Sequence, residues 1–307
     1  MLPCAVFPAW IIVTTRPAFK SASLLLPIVL LLVAMVCFQL GAALAKQLFP
    51  AVGASGTVAL RLGLAGVMMT LVWRPWRLRP SAREARIIAG YGLAMGLMNL
   101  SFYSALERIP LGIAVALEFT GPLALATLAS RRPTDFLWIA VAALGLLALL
   151  PLTPDARPLD PLGIMCALGA AFFWALYIVF GQKTGNVHGG RTAALGTVIG
   201  ALVIVPVGMA HAGTALFSLK LLPVACGVAL LSSALPYTLE MYAMNRVPTR
   251  TFGVLMSLDP ALAALSGMMF LGERLSMIQW CAIVSIMGAS AGSAVTNRRG
   301  PPKLLGE

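Results

Sequence analysis

Of 307 residues, 60% are hydrophobic and 10% are charged, and the mean hydropathy is +0.92. Soluble domains carry about a quarter charged residues, so this composition excludes an ordinary soluble fold and identifies an integral membrane protein. The formal charge of +12 does not mark a nucleic-acid binder, because the basic residues fall in short stretches between apolar runs, where they meet lipid head groups and set orientation.

Residues 1–23 form an apolar extension interrupted by Pro3, Pro8 and Pro17. With no positive charge ahead of its hydrophobic part, it makes a poor signal peptide. Beyond it, spans are predicted near 25–45, 55–73, 87–106, 110–129, 135–152, 161–181, 192–210, 220–242, 248–271 and 276–296. Each is close to the roughly 20 residues a helix needs to cross a bilayer. Pro, Gly or charge marks nearly every connection, among them Pro50, Pro80, Pro110, Pro133, Pro161, Gly189, Gly213, Pro248 and Gly272. The predicted fold class is therefore an all-α membrane protein of ten transmembrane helices.

Lys and Arg sort unevenly over alternate connections. One side, with the amino terminus, the loop carrying Arg74, Arg77, Arg79, Arg83 and Arg86, and the carboxyl tail, holds sixteen; the other holds Lys46, Arg108, Arg157, Lys220 and Arg274. The positive-inside rule puts both termini in the cytoplasm. The chain also resembles itself: a slide of 138 residues lays Arg108, Pro110, Leu117 and Pro122 on Arg246, Pro248, Leu255 and Pro260, and Asp135 on Glu273. Five spans per half is an odd number, so the second copy enters the membrane inverted. This divides the chain into the extension 1–23, repeats over 24–153 and 160–296, and a cytoplasmic tail over 297–307. Inverted repeats place substrate near the midplane between the halves.

Chemistry of other classes is missing from the sequence. Cys4, Cys37, Cys166, Cys226 and Cys281 are scattered singly and read as small apolar residues. His188 and His211 lie in or beside loops. No zinc-protease helix, phosphate-binding loop or nucleophile elbow is present, so neither a metal nor a cofactor is expected and an enzyme is the lesser alternative. A channel would need a ring of like residues along a pore, whereas the polar positions here are sparse and dissimilar.

The run A-F-F-W-A-L-Y at 171–177 and the stretch R-V-P-T-R-T-F-G-V-L-M-S-L-D-P-A-L-A-A-L-S-G-M-M-F-L-G-E at 246–273 resemble EamA-type domains of the drug/metabolite transporter superfamily. P-L-G-I-A-V-A-L-E-F-T-G-P-L-A at 110–124, S-R-R-P at 130–133 and L-P-Y-T-L-E-M at 235–241 are similar to its bacterial inner-membrane threonine/homoserine exporters. The resemblance covers about residues 25–296. It implies efflux of small neutral amino acids from the cytoplasm, in exchange for protons; other metabolites or drugs of the superfamily are the alternative cargo. A homodimer is a candidate assembly. The general pattern closes the fourth span with Gly-Glu, as Gly272-Glu273 does for the ninth, while this chain has Ser130-Arg131-Arg132 there, which points to a specialised subfamily.

A zwitterionic cargo needs an acceptor for its ammonium and donors for its carboxylate. Glu118, near the middle of the fourth span, is the natural ammonium partner, and one carboxylate can take proton and substrate in turn. The alternative is a protonated Glu118 bonded to a neighbouring helix. Arg61 can hold the substrate carboxylate, stand as the fixed counter-ion of Glu118, or snorkel to the interface. Gln39, the Asn99/Tyr103 pair, the Trp174/Tyr177 pair and the Tyr237/Glu240 pair complete the candidate substrate contacts, each pair sharing a helix face. Gly121-Pro122, Pro236 and Asp259-Pro260 are candidate helix breaks, where freed backbone groups face a ligand or an ordinary kink aids packing. Gly112, Ala116, Gly169, Ala170, Gly288 and Gly292 are expected to permit close helix approach.

Overall fold

A computed structural model describes residues 22–128, 133–148, 159–183, 189–236, 239, 243, 247 and 249–296, and all regular structure among them is helical. The first helices are α1 (Ala22–Lys46), α2 (Phe49–Trp73) and α3 (Ala82–Leu106). The next run is split in two, α4 (Leu111–Glu118) and α5 (Thr120–Leu128), and is followed by α6 (Pro133–Ala148), α7 (Pro161–Lys183) and α8 (Gly189–Ala212). Then come α9 (Leu222–Ala229), which runs into a π-helical turn over Leu230–Ala234, a second split pair, α10 (Thr249–Met256) and α11 (Asp259–Leu271), and finally α12 (Met277–Thr296). Among the described residues six helices are long and apolar enough to cross a membrane, and Leu111–Leu125, Phe136–Ala148, Leu222–Ala234 and Met277–Ser293 are shorter apolar helices.

The helix ends follow from local chemistry. Ser81 and Glu84 form a capping box at the start of α3, with side chain and backbone N–H satisfied in both directions. Asp160 caps α7 by accepting the Leu162 N–H at 2.9 Å, directly before Pro161, whose missing N–H costs nothing at the first helical position. That backbone bond, assisted by Arg108 at 3.2 Å, holds the Asp160 carboxyl below its ordinary range. The connection between α1 and α2 is shorter than the spacing of charges suggested. Pro50 sits inside the first turn of α2, and the break comes instead at Gly53, whose φ of 66° with extended ψ suits a residue without Cβ.

Outward faces are apolar. On α1, Leu25, Val29, Val33 and Val36 recur at helical spacing and are all exposed, while Leu31, Ala34 and Met35 are buried. Exposed apolar stripes of this kind face lipid tails, where they cost nothing. Inside, α4 is the most enclosed element, with every residue from Leu111 to Leu117 buried, packed against α7, α11 and α12 in one apolar cluster.

Small residues set how close helices come. A Cβ on Gly112 would stand 2.5 Å from that of Ala264, and one on Gly292 would be 2.4 Å from the Trp138 ring, as expected. Gly169 makes only ordinary contact and Gly288 faces open space. Among the described glycines the tightest crossing is at Gly121, where a Cβ would lie 2.0 Å from the Ala171 carbonyl oxygen, so this glycine seats α5 on α7.

The connections gather at two ends. Lys46, Leu111 and Glu273 meet at one, which also holds the Arg108–Asp160 ion pair; Trp73 packs on Gly190 at the other. From this packing, Gly121→Val should lower thermal stability in detergent by about 1–3 kcal/mol through overpacking, whereas Gly288→Ala should leave the melting temperature within error.

Candidate functional site

The most elaborate polar arrangement in the interior surrounds Arg61 on α2. Its Nη1 donates to Asn99 Oδ1 at 2.6 Å and to the Tyr103 hydroxyl at 3.3 Å, and its Nη2 donates to the Ser232 carbonyl at 2.8 Å. The guanidinium also lies over the Tyr103 ring, 5.4 Å from its centre. Asn99 is held in register because its own amide donates to the Met95 carbonyl at 2.8 Å, which leaves the side-chain oxygen for the arginine. Tyr103 is fully buried. Arg61 therefore does not snorkel: its fork is turned inward and tied on both sides.

The Ser232 carbonyl is available for a covalent reason. In an α-helix it would accept from the residue four positions on, but that residue is Pro236, which has no N–H. The helix answers with the π turn over Leu230–Ala234, and the arginine takes the spare acceptor. Gly41 lets this turn lie against α1, since a Cβ there would be 2.7 Å from that of Ser232. One donor stays unused, for Arg61 Nε is buried without a partner.

The same covalent logic recurs at the two split helices. Pro122 removes the donor for the Glu118 carbonyl, and Pro260 that for the Met256 carbonyl, positions related by the 138-residue slide. Each split falls there, between Glu118 and Thr120 and between Met256 and Asp259. A hydroxyl covers the carbonyl three residues back in both places, Thr120 on Leu117 and Ser257 on Val254, each at 2.6 Å.

Glu118 ends α4 and keeps partial access although the seven residues before it are buried. It lies within electrostatic reach of Asp259 and of Arg61, yet the ion pairs among the described residues are Lys46–Glu273 and Arg108–Asp160. Arg61 is therefore not its direct counter-ion. Asp259 opens α11, the buried Gln39 amide is within hydrogen-bonding reach of its carboxyl group, and Asp259 Oδ1 is buried without a partner. The interior thus holds two acids at two helix breaks, with Arg61 within electrostatic reach of Glu118, an unused acceptor on Asp259 and an unused donor on Arg61.

Of the other sequence candidates, Trp174 stands edge-on to Phe119, 5.0 Å between ring centres, and so lines the first break. Tyr177 is stacked on Tyr91 at 4.6 Å, and the Tyr91 hydroxyl donates to that of Tyr177 at 2.9 Å, a contact between α3 and α7 in which neither Arg61 nor Glu118 takes part. Tyr237 and Glu240 lie outside the described residues. A cavity of about 610 Å³ opens at the Lys46 end, lined by residues including Gly53, Ser55, Leu100, Ser104, Glu107, Arg108 and His211. Glu118, Arg61 and Asp259 are not among its lining residues, so it is separate from the site around them.

Two residues carry more than sequence reasoning granted them. Asp259 was expected as part of a helix break and not as an acid in the cluster, although an aspartate inside an apolar run is itself the signal. Ser232 gave no signal beyond its spacing from Pro236, because the group it supplies is a carbonyl.

Residues 161–295 match the EamA-like transporter family. The chain is 53% identical over 276 residues to the threonine/homoserine exporter RhtA of Salmonella typhimurium strain SL1344, covering 90% of this chain and 94% of that protein. This chain belongs to the EamA-like transporter family. Its likeness to the RhtA exporter of Escherichia coli K12 is 53% over 274 residues, 89% of this chain and 93% of that one. A crystal structure of another protein shares the fold with a TM-score of 0.58 at 20% identity, covering 90% of this chain and 99% of that one. As an EamA-family member the protein is a transporter and not an enzyme.

The tie between Arg61 and Asn99 is the arrangement's testable anchor. Asn99→Ala removes a charge-assisted hydrogen bond inside an apolar surround, so the protein should lose about 1.5–3 kcal/mol of stability, read as a lower melting temperature in detergent. Asn99→Asp, which keeps the acceptor, should recover most of it.

Proposed function

We propose that this protein exports small neutral amino acids of the threonine/homoserine type from a bacterial cytoplasm across the inner membrane, by alternating access and in exchange for protons. The extensive identity with the threonine/homoserine exporters supports the cargo class. The observation that carries the mechanism is the interior cluster of Glu118, Asp259 and Arg61, with Asp259 Oδ1 and Arg61 Nε buried and unpartnered. A zwitterion supplies both missing partners, its ammonium to the carboxylates and its carboxylate to the guanidinium edge. Ammonium and proton compete for the same carboxylates, so substrate and proton occupy the site in turn.

The architecture proposed for this cycle is ten membrane helices in two inverted five-helix repeats, residues 24–153 and 160–296, with both termini and the tail over 297–307 cytoplasmic. Three features support it. The split helices recur at positions 138 apart. Connections one, three, five and nine are joined by Lys46, Leu111, Glu273, Arg108 and Asp160 at one end. The cavity at that end joins the first, third and seventh connections through Pro50, Glu107 and Ala212. Such alternation is what ten crossings require, and Lys and Arg are depleted in these connections. Gln39, Asn99, Tyr103 and Trp174 line or hold the cluster, Tyr177 lies apart from it on Tyr91, and Tyr237 and Glu240 are outside the described residues. A homodimer is compatible with the lipid-facing apolar surfaces and is not needed for the mechanism.

Purified protein in liposomes, given a panel of labelled amino acids with and without a pH gradient, tests the reading. Threonine and homoserine should be moved in preference to large or charged amino acids, and faster against an opposing proton gradient. Glu118→Gln should slow transport about tenfold or more and abolish its pH dependence; wild-type rate with unchanged pH dependence would overturn the coupling mechanism. Asp259→Asn removes one charge-assisted contact with the ammonium, and should raise the half-saturating threonine concentration by about 10- to 150-fold.

A further inference from the structure

At the end of the molecule remote from most of the positive charge, Glu273 makes three contacts that draw distant parts of the chain together. Its Oε1 accepts from Lys46 Nζ at 2.7 Å, across 227 residues of sequence. Its Oε2 accepts from the backbone N–H of Leu111 at 2.8 Å, across 162 residues, and its own N–H donates to the Gly267 carbonyl at 3.1 Å. The carboxylate therefore sits between an ammonium and the positive end of α4, two favourable partners for a negative charge. Lys46 and Glu273 side chains are 20% and 13% exposed, sheltered enough for the pair to matter and wet enough for water to replace either partner.

Two glycines build the position. Gly272, with φ of 65°, ends α11 in the left-handed conformation and turns the chain back. Gly267 leaves room for the returning carboxylate, since a Cβ there would be 2.3 Å from Glu273 Oε2. Gly-Glu at the end of α11 thus serves to place one carboxylate over the first turn of a helix from the other half.

We propose that Lys46, Glu273 and the Leu111 amide form the latch that keeps this end of the transport pathway closed, and that the latch breaks each time cargo is released there. The proposal rests on the transport reading above and adds to it the residues that gate one side. Leu111 and Glu118 belong to the same helix, and the buried Ala114 stands one turn from each. Separation of Glu273 from Leu111 uncovers that face and gives the Glu118 carboxylate a way out. The Arg108–Asp160 pair at the same end, with both side chains more than a third exposed, lies on the rim and has no part in the closure.

Two experiments test the latch. In the first, Lys46→Cys and Glu273→Cys are introduced together and joined by a short reducible bis-thiosulfonate, with the link mapped by peptide mass to set it apart from the native cysteines. Linked protein should transport threonine at a tenth of its unlinked rate or less and recover on reduction; transport at the unlinked rate would overturn the proposal, because a fixed structural tie never needs to open. In the second, Ala114→Cys reports access to a membrane-impermeant thiol reagent added from outside. Glu273→Gln should speed its labelling by about tenfold, equivalent to about 1.4 kcal/mol of lost closure, while Arg108→Gln should not. Equal labelling in wild type and Glu273→Gln, or equal acceleration by Arg108→Gln, would sink the latch. Labelling needs no cargo, so its failure leaves the amino-acid reading untouched, whereas failure of the unmodified protein to move threonine defeats that reading alone.

Discussion

An arginine enclosed by apolar helices is the constraint on which this structure turns. A guanidinium at membrane depth costs at least about 2.5–3.5 kcal/mol on insertion scales, and its donors must find acceptors within the protein because lipid tails offer none. Arg61 obtains them from an amide, a phenol and a carbonyl drawn from two other helices. The third of these exists because Pro236 cannot donate to Ser232. A missing N–H in one helix and a surplus cation in another are thus mutually satisfied, and α2, α3 and α9 are held together by that exchange.

Proline does comparable work in the two split helices. Pro122 and Pro260 each deprive a carbonyl of its donor, and each is flanked by a carboxylate, Glu118 on one side of its break and Asp259 on the other. Together with Arg61 these acids make a small field of mixed sign inside an apolar body. Among the described residues no tight ion pair neutralises it. Structural ion pairs are found instead at the end of the molecule, where Glu273 joins α11 to α1 and α4. Among the described residues, charge in the interior is left without a tight ion pair, whereas charge at the Lys46 end is paired.

Much of the fold was legible in the residues. Within the described residues the predicted spans fall on helices or split helices, six of them long and apolar enough to cross a membrane, because runs of apolar side chains bounded by Pro, Gly and charge have few other solutions in a bilayer. Legibility failed where the backbone acts and where distance in sequence is large. Gly53 breaks α2 three residues after Pro50, and Gly121, beside the split between Glu118 and Thr120, also makes a close contact with Ala171. The pairing of Asn99 with Tyr103 on one face was readable from spacing; that both would be occupied by Arg61 was not.

Composition and charge order alone determined that the chain belongs in a membrane and where its helices run, since those properties depend on transfer of side chains from water to lipid, a local and additive quantity. Which charges meet depended on tertiary structure. Lys46, Leu111 and Glu273 are brought together, and Glu118 is brought near Asp259 and Arg61, by helix crossings that small residues permit. Electrostatic and hydrogen-bond energies fall off within a few ångströms, so no reading of sequence spacing could assign them before the helices were packed.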